Sequence, residues 1–148
     1  MSKLVRSRCR VIYGDTDAMG VAYYSNYLRW FEIGRNEWLR SVGVTYSEIE
    51  RAGTYAPVSE VYCHYFYPVR YDDWILIDTD VEYLRRASIK FAYRILREES
   101  GEEAARGYTI HAFVDGNGRI VRAPRILLDA LRPMGQDDPS GNRSKGRG

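Results

Sequence analysis

The chain has 148 residues, which is the size of one domain, and its hydrophobic fraction of 45% is ordinary for a globular protein. A formal net charge of +2 is too small to indicate nucleic-acid binding, and no basic stripe interleaved with aromatic residues suggests a single-strand binder. No apolar run approaches membrane-spanning length, and the basic segment Met1–Arg10 has no apolar core after it, so neither a transmembrane segment nor a signal peptide is predicted. We therefore expect a soluble, cytoplasmic protein that binds no nucleic acid.

The sequence opens with a predicted strand, a loop and a long helix. Apolar residues alternate loosely over Leu4–Tyr13, which is typical of a strand, and Gly14–Tyr23 has the aspartates and glycines of a loop. Helical spacing of apolar residues then predicts a helix from about Tyr24 to Val42. The apolar side of this helix contains Tyr27, Trp30, Phe31, Gly34, Trp38 and Leu39. Gly34 in mid-helix predicts a close approach of the helix to a sheet.

The rest of the core is predicted to consist mainly of strands. A turn and a short helical piece occupy Val44–Gly53, and a last helix runs from Pro124 to about Leu131. Four apolar-alternating segments lie between them, at Pro57–Tyr67, Trp74–Leu84, Ile89–Leu96 and Ala104–Asp115. The third segment is predicted to face the core with Ile89, Phe91, Tyr93 and Ile95, and the fourth contributes the apolar set Tyr108, Ile110, Ala112 and Val114.

This order of elements predicts an α+β fold in which five antiparallel strands wrap around one long central helix. Such a sheet has exposed edges, and edge-to-edge pairing would bury them, so we expect a homo-oligomer. Residues 135–148 are polar and rich in Gly, Ser and Arg. This composition predicts a disordered tail that follows one domain over residues 1–134.

The cysteines and histidines do not form a recognisable site in the sequence. Cys9 and Cys63 are far apart and no Cys-x-x-Cys occurs, so a redox pair or a zinc knuckle is not expected. His64 and His111 are isolated and are interpreted as packed or surface residues, so no metal site is predicted. No Gly-x-Ser-x-Gly elbow is present, which argues against a serine nucleophile.

The most informative stretch is the joint between the first strand and the long helix, Tyr13–Tyr27. A carboxylate at such a joint can lie beside the unpaired N–H groups and the partial positive charge of a helix N-terminus. A carboxylate and free donors for a developing oxyanion are two parts of an acyl-transfer site. We interpret Asp15 as a turn residue, and Asp17 either as a turn or cap residue or as the reacting group. Gly20 predicts a sharp turn.

The run from Tyr13 to Arg35, which begins Tyr-Gly-Asp-Thr-Asp-Ala-Met-Gly, resembles the signature of the 4-hydroxybenzoyl-CoA thioesterase family, whose members have the hotdog fold. It is similar also to the Tol-Pal-associated acyl-CoA thioesterase branch. Weaker matches follow at residues 68–73, at the basic bend 84–88, at the turn 115–118 and at residues 122–124. The likeness covers roughly residues 5–132, and the first motif alone is specific.

The resemblance implies hydrolysis of acyl-CoA thioesters without a metal or an organic cofactor. It also implies dimers, often paired into homotetramers, with active sites at the subunit interface. The family's catalytic aspartate falls on Asp17, which would act as nucleophile or as general base. Tyr24 falls at the start of the long helix, where a backbone N–H would polarise the thioester carbonyl and the phenol would orient the substrate or a water.

The remaining site residues are assigned to substrate binding. Gly20 would leave room for the thioester. Arg85, Arg86 and Ser88 lie on the bend that matches the family's nucleotide-contacting segment, and arginine forks suit the phosphates of coenzyme A. A solvated basic turn is the alternative interpretation of this bend.

Three functions remain open at this point. The first is an acyl-CoA thioesterase acting on a small acyl or aroyl group. The second is a thioesterase for acyl groups carried by acyl carrier protein, and the third is a non-catalytic acyl-CoA-binding or interaction module. Glu32 and Glu37 on the long helix are reserve candidates, because some hotdog enzymes use a helix glutamate.

Overall fold

A computed structural model describes residues 3–135 of the chain. The first strand, β1 (Val5–Arg10), leads through a 3₁₀ turn at Tyr13–Asp15 into the long helix α1 (Asn26–Ser41) and the short helix α2 (Tyr46–Arg51). The remaining elements are β2 (Val58–Tyr65), β3 (Trp74–Leu84), β4 (Ser88–Arg97), β5 (Glu103–Ala112) and α3 (Arg125–Gly135). The predicted tail falls almost entirely on residues 136–148, which lie outside the described residues.

The five strands form one antiparallel sheet in the order β1-β3-β4-β5-β2. Helix α1 packs its aromatic side against this sheet, and Trp30, Phe31 and Trp38 are fully buried. The predicted α+β fold, with five antiparallel strands and one long helix, is confirmed. Within residues 3–135, no helix is long and apolar enough to cross a membrane.

Gly34 shows why α1 can lie so close to the sheet. A Cβ added there would collide with Thr79 Oγ1 and come within 2.8 Å of Ile77 Cγ2, both on β3. Any larger residue would therefore push the helix away from the strand. The close approach predicted from this glycine is confirmed.

The inward face of β5 differs from the predicted one. Ile89, Phe91 and Tyr93 of β4 are buried as expected. Their partners across β5 are His111, Thr109 and Gly107, so these residues, rather than Tyr108 and Ile110, face α1. The polar pair is accepted in the core because its atoms are hydrogen-bonded. Gly107 is needed because a Cβ there would meet the Phe31 ring and the Tyr62 carbonyl.

Candidate active site

The loop between β1 and α1 is held by its own backbone. The Asp17 N–H donates to the Val21 carbonyl at 2.9 Å, and the Gly20 N–H donates to the Asp17 carbonyl at 2.9 Å. Gly20 has φ +82°, a left-handed conformation that glycine adopts at little cost. The predicted sharp turn at Gly20 is confirmed, and it fixes the direction of the Asp17 side chain.

Asp15 is buried, and both oxygens of its carboxylate have partners. Only 4% of its surface is exposed, and its carboxylate pairs with Arg29 of α1 and accepts the Ile12 N–H at 3.0 Å. Its carbonyl accepts the Tyr23 N–H and the Asn26 side-chain amide, both at 2.8 Å. Asp15 therefore fastens the loop to the first turns of α1, which is the structural role expected from the sequence.

Asp17 is only half buried and faces an open cleft of about 370 Å³. One carboxylate oxygen accepts the Met19 N–H at 2.8 Å, and among residues 3–135 the other oxygen has no partner. The aromatic walls of the cleft are Tyr23, Tyr24, Tyr27, Tyr65, Phe66 and Tyr67. A carboxylate oxygen without a partner, beside apolar walls, is available to a ligand.

The helix begins at Asn26 rather than at the predicted Tyr24, and Ser25 occupies the N-cap position without a side-chain cap bond. Tyr24 instead lies in the turn before the helix. The N–H groups of Tyr24 and Ser25 donate to no group within the described part of the chain, whereas the N–H of Asn26 bonds back to the Tyr23 carbonyl at 3.0 Å. These two donors lie at the positive end of α1, and Tyr24 lines the cleft.

Three of the phenols around the cleft have raised pKa values. Burial raises the pKa of Tyr27, and burial also raises the pKa of Tyr65, followed by its contact with Cys63. A hydrogen bond to Tyr24 raises the pKa of Tyr23. The Tyr65 hydroxyl donates to the Tyr24 carbonyl at 3.0 Å. Among the described residues that line the cleft, Asp17 is the one carboxylate.

Arg85, Arg86 and Ser88 lie far from this cleft in the same chain. They flank the turn between β3 and β4, whereas β1 ends beside Trp74 at the other end of β3. A strand of this length spans about 33 Å. Both arginines are exposed, and the Arg85 guanidinium stacks on the Tyr83 ring at 3.8 Å. The structure thus brings Asp17, Gly20 and Tyr24 together, and the assignment of the basic bend to substrate stays a prediction.

The wall formed by residues 65–67 was missed by the sequence reasoning. Tyr65, Phe66 and Tyr67 are three consecutive aromatics before Pro68, and this run breaks the alternation expected of a strand. All three are partly exposed at the end of β2. Among residues 3–135, no cluster of three or more His, Cys, Asp or Glu could hold a metal ion.

Known proteins resemble this chain over most of its length. Residues 11–131 match the model of the thioesterase-like superfamily. The chain is 33% identical over 97 residues to the acyl-CoA thioester hydrolase YbgC of Escherichia coli, which covers 66% of this chain and 72% of that protein.

Solved structures agree with this match. A hypothetical protein of Aquifex aeolicus is 35% identical, with a TM-score of 0.80, and the match covers 86% of this chain and 98% of that one. The DHNA-CoA thioesterase of Staphylococcus aureus is 26% identical, with a TM-score of 0.84, over 96% of this chain and 95% of that one. The resemblance to hotdog-fold thioesterases inferred from the sequence is confirmed, and the chain belongs to the thioesterase-like superfamily.

Proposed function

We propose that the protein hydrolyses a small acyl- or aroyl-CoA thioester to the free acid and coenzyme A in the cleft at Asp17. One observation carries this proposal: the loop before α1 presents a carboxylate oxygen of Asp17 and two N–H groups, of Tyr24 and Ser25, that bond to no other described residue. A thioester carbonyl bound between them would meet a carboxylate on one side and two donors on the other. The relatives named as thioester hydrolases or thioesterases support the same chemistry.

Two routes use these groups. Asp17 attacks the thioester carbonyl, the thiolate of coenzyme A leaves, and water hydrolyses the mixed anhydride. Alternatively, Asp17 removes a proton from a water that attacks the carbonyl directly. In both routes the carbonyl oxygen becomes negative, and one oxyanion donor lowers the barrier by about 3 kcal/mol.

Replacing Asp17 tests the proposal. Asp17→Asn keeps the shape of the side chain and its contact with Met19, but removes the charge, so kcat/KM should fall by about a thousandfold or more. Asp115→Asn is a matched control, because Asp115 accepts the Asn117 N–H at 2.8 Å in a similar turn outside the cleft. Full activity of folded Asp17→Asn protein on a panel of CoA thioesters would contradict the proposal.

A single turnover in ¹⁸O-labelled water detects nucleophilic attack by Asp17. If Asp17 is the nucleophile and water then attacks its carboxyl carbon, the first product molecule carries an unlabelled oxygen from Asp17, and the label enters the protein. If Asp17 is a base, or if water attacks the acyl carbon of the anhydride, the label appears in the product at once. Mass spectrometry of the product acid and of the peptide containing Asp17 reads both outcomes.

Assays of hydrolysis rate and of coenzyme A release separate the remaining candidate functions. A carrier-protein thioesterase would act faster on the acyl group attached to its carrier protein than on the same acyl group attached to CoA. A binding module would bind the thioester while the concentration of free coenzyme A stayed constant.

The edge of β2 supports a homodimer. Within residues 3–135 this strand pairs with β5 alone, and seven of its eight residues are exposed. Val58, Val61, Tyr62 and Tyr65 each expose more than a third of their surface along it. We propose that two copies pair through β2, and pairing of two such dimers into a tetramer is part of the same proposal. Light scattering on the eluting protein measures the assembly, and Val61→Pro, which cannot donate to a neighbouring strand, should lower its mass.

A further inference from the structure

A second cavity, of about 280 Å³, lies under the middle of α1 and away from Asp17. Its apolar walls come from Leu39, Ile49, Ile89, Phe91, Phe113 and Leu127. Pro57 and Val58, at the start of β2, also line it, whereas Tyr65 at the end of β2 lines the Asp17 cleft. Since an engineered cavity of about 150 Å³ can hold benzene, this one has room for a substituted ring or a short chain.

One polar wall of this cavity is fully hydrogen-bonded. His111 is 3% exposed, and its Nδ1 lies 2.9 Å from the Ala56 carbonyl, which can only accept, so Nδ1 carries the proton. Its Nε2 then accepts from Thr109 Oγ1 at 2.9 Å, and Thr109 Oγ1 accepts from the Tyr93 hydroxyl at 2.6 Å. Burial lowers the pKa of His111 to about 4, so the imidazole is neutral at neutral pH. The hydrogen-bonded chain of Tyr93, Thr109 and His111 therefore offers no charge to a ligand.

Arg35, which also lines the cavity, supplies the charge that the hydrogen-bonded chain lacks. Its guanidinium acts on both Tyr93 and His111, opposing the rise in the pKa of Tyr93 and lowering that of His111. Within residues 3–135, no carboxylate lies within 4 Å of it. Glu32 also lines the cavity, but its side chain is exposed and forms no ion pair with Arg35. A half-buried cation on a largely apolar wall favours a ligand that has both an anionic group and an apolar body.

Pairing through β2 would bring this cavity to the Asp17 cleft of a second copy. A two-fold axis through Val61, whose two copies then lie opposite each other, would pair the β2 edges antiparallel and bring Val58 of one copy within one residue of Tyr65 of the partner subunit. Val58 lines the cavity and Tyr65 lines the cleft. The thioester end and the far end of one acyl group would then be held by different chains.

We propose that the cavity under α1 binds the far end of the acyl group, and that Arg35 selects acyl groups ending in a carboxylate, that is, CoA monothioesters of dicarboxylic acids. This inference rests on the proposed thioesterase function and on the β2 dimer. Arg35 is a specificity-determining residue for the reaction, and Asp17 performs the chemistry in the partner's cleft.

Two thioesters of equal size test the selectivity. 4-Carboxybenzoyl-CoA is negative at its far end, and 4-carbamoylbenzoyl-CoA is neutral there. The wild-type ratio of their kcat/KM values should be at least about tenfold in favour of the acid, the effect of one charge-assisted hydrogen bond. Arg35→Met should bring the ratio close to one, and Glu32→Gln should raise it. Arg51→Met, which removes an exposed arginine of α2, is the matched control and should leave the ratio unchanged.

A wild-type ratio near one, or a ratio that survives Arg35→Met, would overturn the proposal. Binding of the two thioesters to Asp17→Asn protein by calorimetry gives a readout that needs no turnover. A preference for the acid in binding, together with absent hydrolysis by the wild-type protein, would reject the thioesterase function and leave the selectivity of the cavity intact. Hydrolysis of both thioesters without any preference for the acid would support the thioesterase function and reject the selectivity of the cavity.

Mixed dimers test whether the two groups act across the interface. Co-expressing Asp17→Asn and Arg35→Met chains gives dimers in which, if the groups act in trans, one of the two sites has both residues intact. About one site in four of the mixture is then wild-type, and hydrolysis of 4-carboxybenzoyl-CoA should exceed that of either parent. If the mixture shows no gain over the average of the two parents, the cavity does not serve the partner's Asp17 and the proposal fails.

Discussion

Two aspartates of one loop, Asp15 and Asp17, have opposite surroundings. Asp15 is buried, and its carboxylate is shared between the Arg29 guanidinium and the Ile12 N–H. Asp17 is half buried, is bonded on one oxygen only, and faces an aromatic cleft. A carboxylate with partners on both oxygens holds the loop in place, whereas one that keeps an unused oxygen can serve a ligand.

The same contrast extends below α1. Tyr93, Thr109 and His111 form a chain whose members are all hydrogen-bonded, in the manner of Asp15. The turn at Tyr24 and Ser25 has unused N–H groups, in the manner of Asp17. We expect replacements in the first set to alter stability, and replacements in the second set to alter activity.

The largest expected difference is between removing Asp15 and removing Asp17. Asp15→Ala leaves the Ile12 N–H without its acceptor and breaks a partly buried ion pair, which should cost about 3 to 4 kcal/mol of unfolding free energy. Asp17→Ala breaks one exposed turn contact and should cost less than about 1 kcal/mol. Urea denaturation of both variants measures the difference. Equal losses of stability would show that the two carboxylates do not differ as described.

His111 should make stability depend on pH. Its pKa is about 4 in the folded protein and about 6.5 when unfolded, so below pH 6.5 the unfolded chain binds the extra proton first. The stability contributed by neutral His111 is therefore complete above pH 6.5 and is lost as the pH falls from 6.5 to 4, by up to about 3 kcal/mol. Denaturation curves across this range measure the slope.

A variant isolates this contribution. His111→Gln keeps a donor and an acceptor in the core but does not titrate, so its stability should change less between pH 6.5 and 4 than that of the wild type. An identical slope in both proteins would mean that another group is responsible. The test uses stability and not activity, because His111 also lines the cavity under α1.

Much of the fold could be predicted because β3, β4 and α1 follow strict periods. Gly34 even indicated the close approach of α1 to the sheet. The face of β5 could not be predicted in the same way, because its inner residues Thr109 and His111 are polar, whereas Tyr108 and Ile110 on the outer face are apolar. Their burial depends on hydrogen bonds to Tyr93 and to the Ala56 carbonyl, which are distant in sequence.

The candidate site was predictable where its residues are local. Asp17, Gly20 and Tyr24 lie within eight residues, and one motif indicated them together. The wall at Tyr65 was not predictable, because the sheet brings the end of β2 to the loop only after folding. For the same reason, sequence alone gave no indication that β1 ends beside Trp74, at the end of β3 opposite to the basic bend at Arg85.

Replacing Gly20 tests whether the turn at Gly20 sets the orientation of the Asp17 side chain. Gly20→Ala forces a side chain into a left-handed conformation and should cost about 1 kcal/mol of unfolding free energy. Gly14→Ala is the matched control in the same loop, because Gly14 has no positive φ and a Cβ there meets nothing within 4 Å. Loss of activity in Gly20→Ala with full activity in Gly14→Ala would support the role of the turn, and equal behaviour of the two variants would count against it.

The smallest effect is expected for the Tyr24 side chain. Tyr24→Phe keeps the backbone N–H that we assign to the thioester oxygen and removes the hydroxyl, which is largely exposed. We expect kcat to fall by less than about tenfold, since no oxyanion donor is lost. The variant also removes the hydrogen bond that raises the pKa of Tyr23, so ultraviolet titration should show one tyrosine returning toward its ordinary pKa of 10.0. A fall in kcat of about a hundredfold or more, together with that titration change, would show that the phenol of Tyr24, rather than its backbone N–H, acts in the reaction.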